Sequence, residues 1–237
     1  WLAKSWEHND DCTEWTFNLR DDAYFTDGVQ FNADVCLKNI ERWGHGITST
    51  YTTLSIEKSL PNLDKMEKVD DFTVKFPFTQ PITTLEYVLS DYGSPMYSPN
   101  CFDEETGVIS DYAIGTGPYK ITDHVESEYV TLERNDNYYG EKGKVKTFKI
   151  RCIPDAETRV SALKSGEVLG LADNGAITMD AAKNLCDTDS NFEMDSTPSH
   201  MTEYIMFNDK NEYLADKRMR EAFNLATDRD SICSVIY

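Results

Sequence analysis

Two apolar periodicities alternate along this chain, and each is closed by residues that cannot continue it. Over 145–153, apolar and charged side chains exchange places at every step, with Phe148, Ile150 and Cys152 opposed to Lys149 and Arg151. That is the pattern of a half-buried strand. Pro154 stops it, Asp155 is placed to cap a helix over 156–165 that turns Val160 and Leu163 toward a sheet, and Gly166 offers a left-handed terminus. The short apolar run 168–171 then reads as a further strand. Strand, helix and strand in this order predict a right-handed crossover and parallel pairing. The expected fold class is therefore α/β (mixed α+β), a mixed sheet flanked by helices plus a smaller α/β subdomain.

The same reasoning places the other elements. Trp15, Phe17 and Leu19 alternate with Thr16 and Asn18, which predicts a strand over 14–19. Asp27 and Gly28 form a turn signal between Phe25 and Phe31, and Asn32 is the N-cap of a helix running to Trp43, buried through Cys36, Ile40 and Trp43. The Thr/Ser-rich stretch 47–53 reads as a loop. A strand over 71–76 and a short helix over 85–89 follow, the latter leading into an irregular, proline-bearing segment at 92–102. The turn at 115–118 feeds a hairpin of 119–121 with 129–133. Helices are predicted at 179–186 and at 217–226, the second capped by Asp216 and buried through Met219, Ala222, Phe223 and Ala226, with a strand at 204–207 before it.

Asp and Glu outnumber Lys and Arg by 42 to 23, a net charge of -19. Such a field repels phosphate backbones and anionic headgroups, which argues against a nucleic-acid or membrane-surface partner. No apolar run is long enough to cross a bilayer. The first residues lack the zones of a signal peptide, and the last ones stop inside an apolar, helix-compatible run, so the chain reads as a piece of a longer protein whose own amino terminus is absent. The six cysteines are scattered with no C-x-x-C spacing, which disfavours zinc ribbons and thioredoxin-like chemistry. One or two disulfides beside some buried free thiols are expected.

No catalytic constellation emerges. Gly115-Thr116-Gly117-Pro118 lacks the further glycine, the Lys-Ser/Thr pair and the following helix of a phosphate loop. His8, His45, His124 and His200 are far apart, so no metal site is expected. The acid pairs Asp10-Asp11, Asp21-Asp22, Asp70-Asp71 and Glu104-Glu105 invite a glycosidase reading, but each lies in a polar turn with no apolar shield to raise a pKa. No serine sits in a G-x-S-x-G elbow. The expectation is a protein that is not an enzyme and takes no cofactor, with a secreted hydrolase as the rival.

Four segments carry more identity than these. They are Trp15-Thr16-Phe17-Asn18-Leu19-Arg20 leading into Phe25-Thr26-Asp27-Gly28-Val29-Gln30-Phe31-Asn32-Ala33-Asp34, then Ile114-Gly115-Thr116-Gly117-Pro118-Tyr119, then Ile153-Pro154-Asp155-Ala156-Glu157-Thr158-Arg159, then Asp216-Lys217-Arg218-Met219-Arg220-Glu221-Ala222-Phe223 closing on Asp228-Arg229. Together they resemble the first lobe of the family 5 extracellular solute-binding proteins, over nearly the whole chain. The resemblance implies a periplasmic-binding-protein-like lobe, in which 1–113 is the smaller subdomain, 114–232 the mixed-sheet subdomain and 233–237 the start of the hinge, the second lobe being absent.

It further implies the substrate-binding component of an ABC importer that captures an oligopeptide or dipeptide, or else a nickel chelate or a sugar, and hands it to permease subunits in the membrane. The protein is expected to be a monomer, extracellular or periplasmic, held to the cell surface by a lipid at the missing N-terminus. In nickel-binding members an arginine of lobe one holds the chelate, and the matching run here, Tyr92 to Tyr97, has none. In peptide-binding members the carboxylate that meets the peptide amine tends to come from the other lobe. Candidate ligand-binding residues, chosen for loop position and for tyrosine's apolar area with one polar handle, are Tyr51, Tyr92, Met96 and Tyr97.

Overall fold

The computed structural model describes residues 1–44, 60–90, 94–172, 175–195 and 204–236. The loop expected at 47–53, Tyr51, Tyr92, His45 and His200 lie outside the described residues. The chain divides into two compact units, Trp1–Cys152 and Ile153–Tyr237.

In the first unit, strand β1 (Ala3–His8) pairs antiparallel with β2 (Glu14–Leu19), which pairs with β4 (Thr73–Pro77), itself paired with β3 (Glu67–Asp70). The sheet order is β1-β2-β4-β3. β2 places Trp15, Phe17 and Leu19 inward as its alternation requires, and β4 adds Val74 and Phe76, with Trp15 opposite Phe76 and Phe17 opposite Val74. Helix α1 (Ala33–Gly44) crosses this face with Cys36, Ile40 and Trp43 buried. Asn32 caps it by accepting a 3.0 Å bond from the Val35 N–H. The turn before it needs a backbone that L side chains avoid, and Gly28 supplies it at φ +91° while Asp27 Oδ1 accepts from the Val29 N–H at 3.1 Å. Helix α2 (Leu85–Leu89) follows, with Leu85 in the core.

A second sheet of the same unit joins β5 (Tyr119–Val125), β6 (Tyr129–Arg134) and β7 (Thr147–Arg151), again antiparallel throughout. β7 keeps its predicted alternation but not the predicted burial: all five of its residues are exposed, Phe148 and Ile150 included.

The second unit holds α3 (Ala156–Lys164), α4 (Met179–Thr188), α5 (Lys217–Ala226) and α6 (Arg229–Ile236). The strand expected at 168–171 is irregular backbone with Leu169 98% exposed, and 204–207 is irregular too. No strand stands among the described residues of this unit, so the parallel crossover is not formed and both observed sheets are antiparallel. A strand exists only where a partner accepts its hydrogen bonds, and four apolar residues do not create one. Likewise α5 has no buried residue. Its apolar stripe meets Phe207 at 5.6 Å between ring centroids of Phe223, and Met219 stays exposed.

The family-resembling residues act as caps and clasps. Asp155 accepts from the Thr158 N–H (2.8 Å) and Oγ1 (2.7 Å), Asp216 from the Arg218 N–H (2.9 Å), and Asp228 from the Ser231 N–H (3.0 Å). Arg159 donates to the carbonyls of Ile153, Pro154 and Ala176. Hydrogen bonds from Thr158, Arg218 and Ser231 respectively hold these three carboxyls below the ordinary 3.8. A folded-state value below the unfolded one means stability that is present above about pH 4 and lost as pH falls through the lowered values. Helical content should therefore drop on acidification, and Asp155→Asn with Asp216→Asn, which caps without titrating, should flatten the loss. An unchanged circular-dichroism profile in that double variant contradicts the assignment.

All six cysteines are free thiols, in place of the expected disulfides. Cys36 lies in the α1 core, where burial pushes its thiol up to about 12, and Cys101 donates to the Ser98 carbonyl at 3.2 Å.

Candidate functional site

The segment from Ser94 to Ser98 is irregular and leads into a 3-10 turn at Pro99–Cys101, yet it is held at Ser94, Tyr97, Ser98 and Asn100. Asn39, fully buried on α1, donates through Nδ2 to the carbonyls of Tyr97 (2.8 Å) and Val35 (2.9 Å) and accepts at Oδ1 from the Tyr97 N–H (2.8 Å). The Ser98 N–H bonds the Ile114 carbonyl at 2.9 Å, and its hydroxyl donates to Asp27 Oδ2 at 2.6 Å, joined there by Asn100 Nδ2 at 3.1 Å. The Thr26 N–H in turn bonds the Gly115 carbonyl at 3.1 Å. Two sequence motifs 80 and more residues apart, the Asp27-Gly28 turn and the Ile114–Tyr119 run, thus converge on one loop and fix its path.

Tyr97 is half-buried, with Arg42 stacked on it at 4.8 Å from the ring centroid and on Phe102 at 5.7 Å. Arg42 is 3% exposed, and its Nε and Nη2 have no hydrogen-bond partner among the described residues. Burial lowers the guanidinium pKa and raises that of the Tyr97 phenol. The two rings offset part of what the cation loses on leaving water, about 0.5–2 kcal/mol each.

Met96 packs against the main core and lines a cavity of about 620 Å³ bounded by α2, α1 and the sheet. The cavity wall is mostly apolar, with Phe17, Leu19, Ile40, Phe76 and Leu89 among its members. Glu86 of α2 also lines it, and its Oε2 is buried with no hydrogen-bond partner. A smaller cavity of about 330 Å³ lies beside Leu37, Glu41 and 60–66 and contains none of the candidate residues.

Of the four candidates from sequence, then, the structure describes two, and Met96 and Tyr97 are neighbours on one clamped loop. Asn39, Arg42 and Glu86 were not singled out. Asn39 had a legible signal, since a polar residue three after Cys36 and four before Trp43 falls on the buried face of α1 and must find partners there. Nothing in the sequence marks Glu86, which the fold brings to the cavity wall.

Several of the acidic residues that invite a catalytic reading are engaged in local bonds. Asp11 bonds Thr13, Asp21 pairs with Lys4, and Asp22 takes two bonds from Arg20 at 2.8 and 2.7 Å; these bonds hold all three carboxyls below their usual range. A general acid needs the opposite shift. Asp71 pairs with Lys68 at 2.9 Å and Glu104 with Lys38 at 2.6 Å. His8 packs on Trp15 at 4.6 Å, and His124 faces Asp111 at 3.5 Å. Among the described residues, no three or more His, Cys, Asp or Glu stand together as a metal site.

Residues 1–237 match the family described as bacterial extracellular solute-binding proteins, family 5 Middle. The chain is 28% identical over 238 residues to the glutathione-binding protein GsiB of Escherichia coli K12, covering 100% of this chain and 45% of that protein. It is 27% identical over 235 residues to the probable D,D-dipeptide-binding periplasmic protein DdpA of the same organism, covering 96% of this chain and 43% of DdpA. Among solved structures, NikZ from Campylobacter jejuni in complex with Ni(L-His) superposes with a TM-score of 0.72 at 28% identity, over 99% of this chain and 46% of NikZ. The chain spans less than half the length of these relatives.

Proposed function

Because this chain belongs to the family 5 extracellular solute-binding proteins, a family of non-enzymatic binding proteins, we propose that the protein is the substrate-binding component of an ABC importer and that its solute is an oligopeptide or dipeptide. The observation that carries the reading is the family match over all 237 residues. One feature favours a peptide over a nickel chelate: the run from Tyr92 to Tyr97 has no arginine. Similarity to proteins named for glutathione and for D,D-dipeptides points the same way.

In this reading 1–113 and 114–232 are subdomains of the first lobe, and Tyr51, Tyr92, Met96 and Tyr97 face the solute from it. The protein works outside the cytoplasmic membrane, held there by a lipid, and docks on permease subunits. A solute touching both lobes stabilises the closed form by its differential affinity, so capture needs both. The full-length protein should bind peptide saturably and return it unchanged, whereas this chain alone should bind the same peptide at least about tenfold more weakly. Calorimetry with mass spectrometry of the recovered peptide tests both. Cleaved peptide, or equal affinity in chain and full-length protein, overturns the reading.

A further inference from the structure

We infer that Arg42 is a positioning residue for solute recognition: its guanidinium, buried against Tyr97 and Phe102, sets the plane of the Tyr97 ring that the solute meets. The inference rests on the solute-binding reading and deepens it by naming what orients one of the recognition residues.

Packing alone does not account for a cation at this point of α1. Arg42 is buried, and its Nε and Nη2 have no hydrogen-bond partner among the described residues. The described groups that act on its charge are the Tyr97 phenol and the Cys101 thiol, with no carboxylate among them. A buried charge without a counter-ion costs stability, and an apolar side chain of similar volume in the same place is often neutral or stabilising. Residues that weaken a fold in this way are found where function requires them.

The surroundings limit what that function can be. The guanidinium carbon lies 4.8 Å from the Tyr97 ring centroid and 5.7 Å from that of Phe102. A planar cation lies along a ring face in a way that an ammonium does not. The main chain of Tyr97 is already fixed, since Asn39 bonds its N–H and its carbonyl, each at 2.8 Å. On the other side, the Cys101 thiol donates to the Ser98 carbonyl and so holds the turn that carries Phe102. What remains free at Tyr97 is rotation of its side chain, and the guanidinium over the ring restricts it. Asn39 and Arg42 are three residues apart on α1 and share one face, so a single helix holds both the backbone and the ring. A half-buried ring ordered before the solute arrives loses less freedom on binding, which raises affinity without a new contact.

The test separates affinity from stability. The probe is the peptide that the full-length protein retains from a mixture of di- to pentapeptides, identified by mass spectrometry and then titrated by calorimetry. Arg42→Met should weaken its binding about tenfold while the thermal midpoint stays level or rises. Arg42→Lys, which keeps the charge and loses the plane, should not restore the affinity. In a Tyr97→Ala background, adding Arg42→Met should change affinity by less than about twofold, because the ring it positions is gone. Unchanged affinity in Arg42→Met, a midpoint that falls with it, full affinity in Arg42→Lys, or a tenfold loss that persists without the Tyr97 ring each overturns the inference and leaves solute capture standing. Retention of no peptide by the unsubstituted full-length protein overturns the inference and the solute-binding reading together.

Discussion

Asn39→Ala should destabilise the first unit by about 3 kcal/mol and weaken solute binding by the full-length protein with it. The amide makes three bonds from a fully buried position, two of them to the main chain of Tyr97. Truncation leaves the Tyr97 N–H and C=O without their partner, and each buried orphan costs about 1–3 kcal/mol. Val35 loses less, because its carbonyl remains inside α1. Since the same two bonds hold the loop that carries Met96 and Tyr97, affinity should fall together with stability. Urea unfolding followed by tryptophan fluorescence, with the slope unchanged, measures the first effect and calorimetry the second. A loss below about 1 kcal/mol would mean that the loop is held by Asp27 and Ile114 alone.

Trp15→Ala should be worse still, about 3–5 kcal/mol, a large part of the stability of a unit this size. Its ring sits in the centre of the sheet, 2% exposed, and its Nε1 donates to the Ile82 carbonyl at 3.0 Å, tying β2 to the segment that leads into α2. A paired substitution separates packing from hydrogen bonding. Trp43 is equally buried, but its Nε1 has no partner among the described residues. Phenylalanine removes similar volume at both sites, so Trp15→Phe should cost about 1 kcal/mol more than Trp43→Phe, the value of a buried bond whose acceptor is left behind. Equal costs in urea unfolding would show that the indole bond contributes nothing.

Of the four candidate ligand-binding residues, two lie among the described residues. Met96 and Tyr97 could be chosen because a proline-bearing loop between two regular segments is where exposed aromatic and sulfur side chains tend to serve recognition. What makes the loop rigid could not be read there, because the groups that hold it, Asp27, Asn39 and Ile114, come from three distant stretches of chain. Glu86 illustrates the limit further. In the sequence it is an ordinary acidic residue in the first turn of a short helix, and only the folded chain brings it to a cavity wall.

The sequence by itself determined whatever depends on residues within one turn of each other. Asn32, Asp155 and Asp216 start α1, α3 and α5 where their side chains can reach the next free N–H groups, Gly28 makes the turn its φ requires, and the alternation of β2 decides which of its faces is buried. Four segments in their linear order were enough to identify the family. Partnership between distant segments belonged to the tertiary structure. It made strands of β1 and β3, whose mostly exposed residues carry no alternation to read, and left 168–171 irregular although its composition suited a strand. It also left Phe148, Ile150 and Phe223 exposed on elements whose pattern called for burial. The physical reason is range: a cap or a pleat is satisfied by atoms a few bonds away, while a ladder hydrogen bond or a buried face needs a surface the chain must first bring to it.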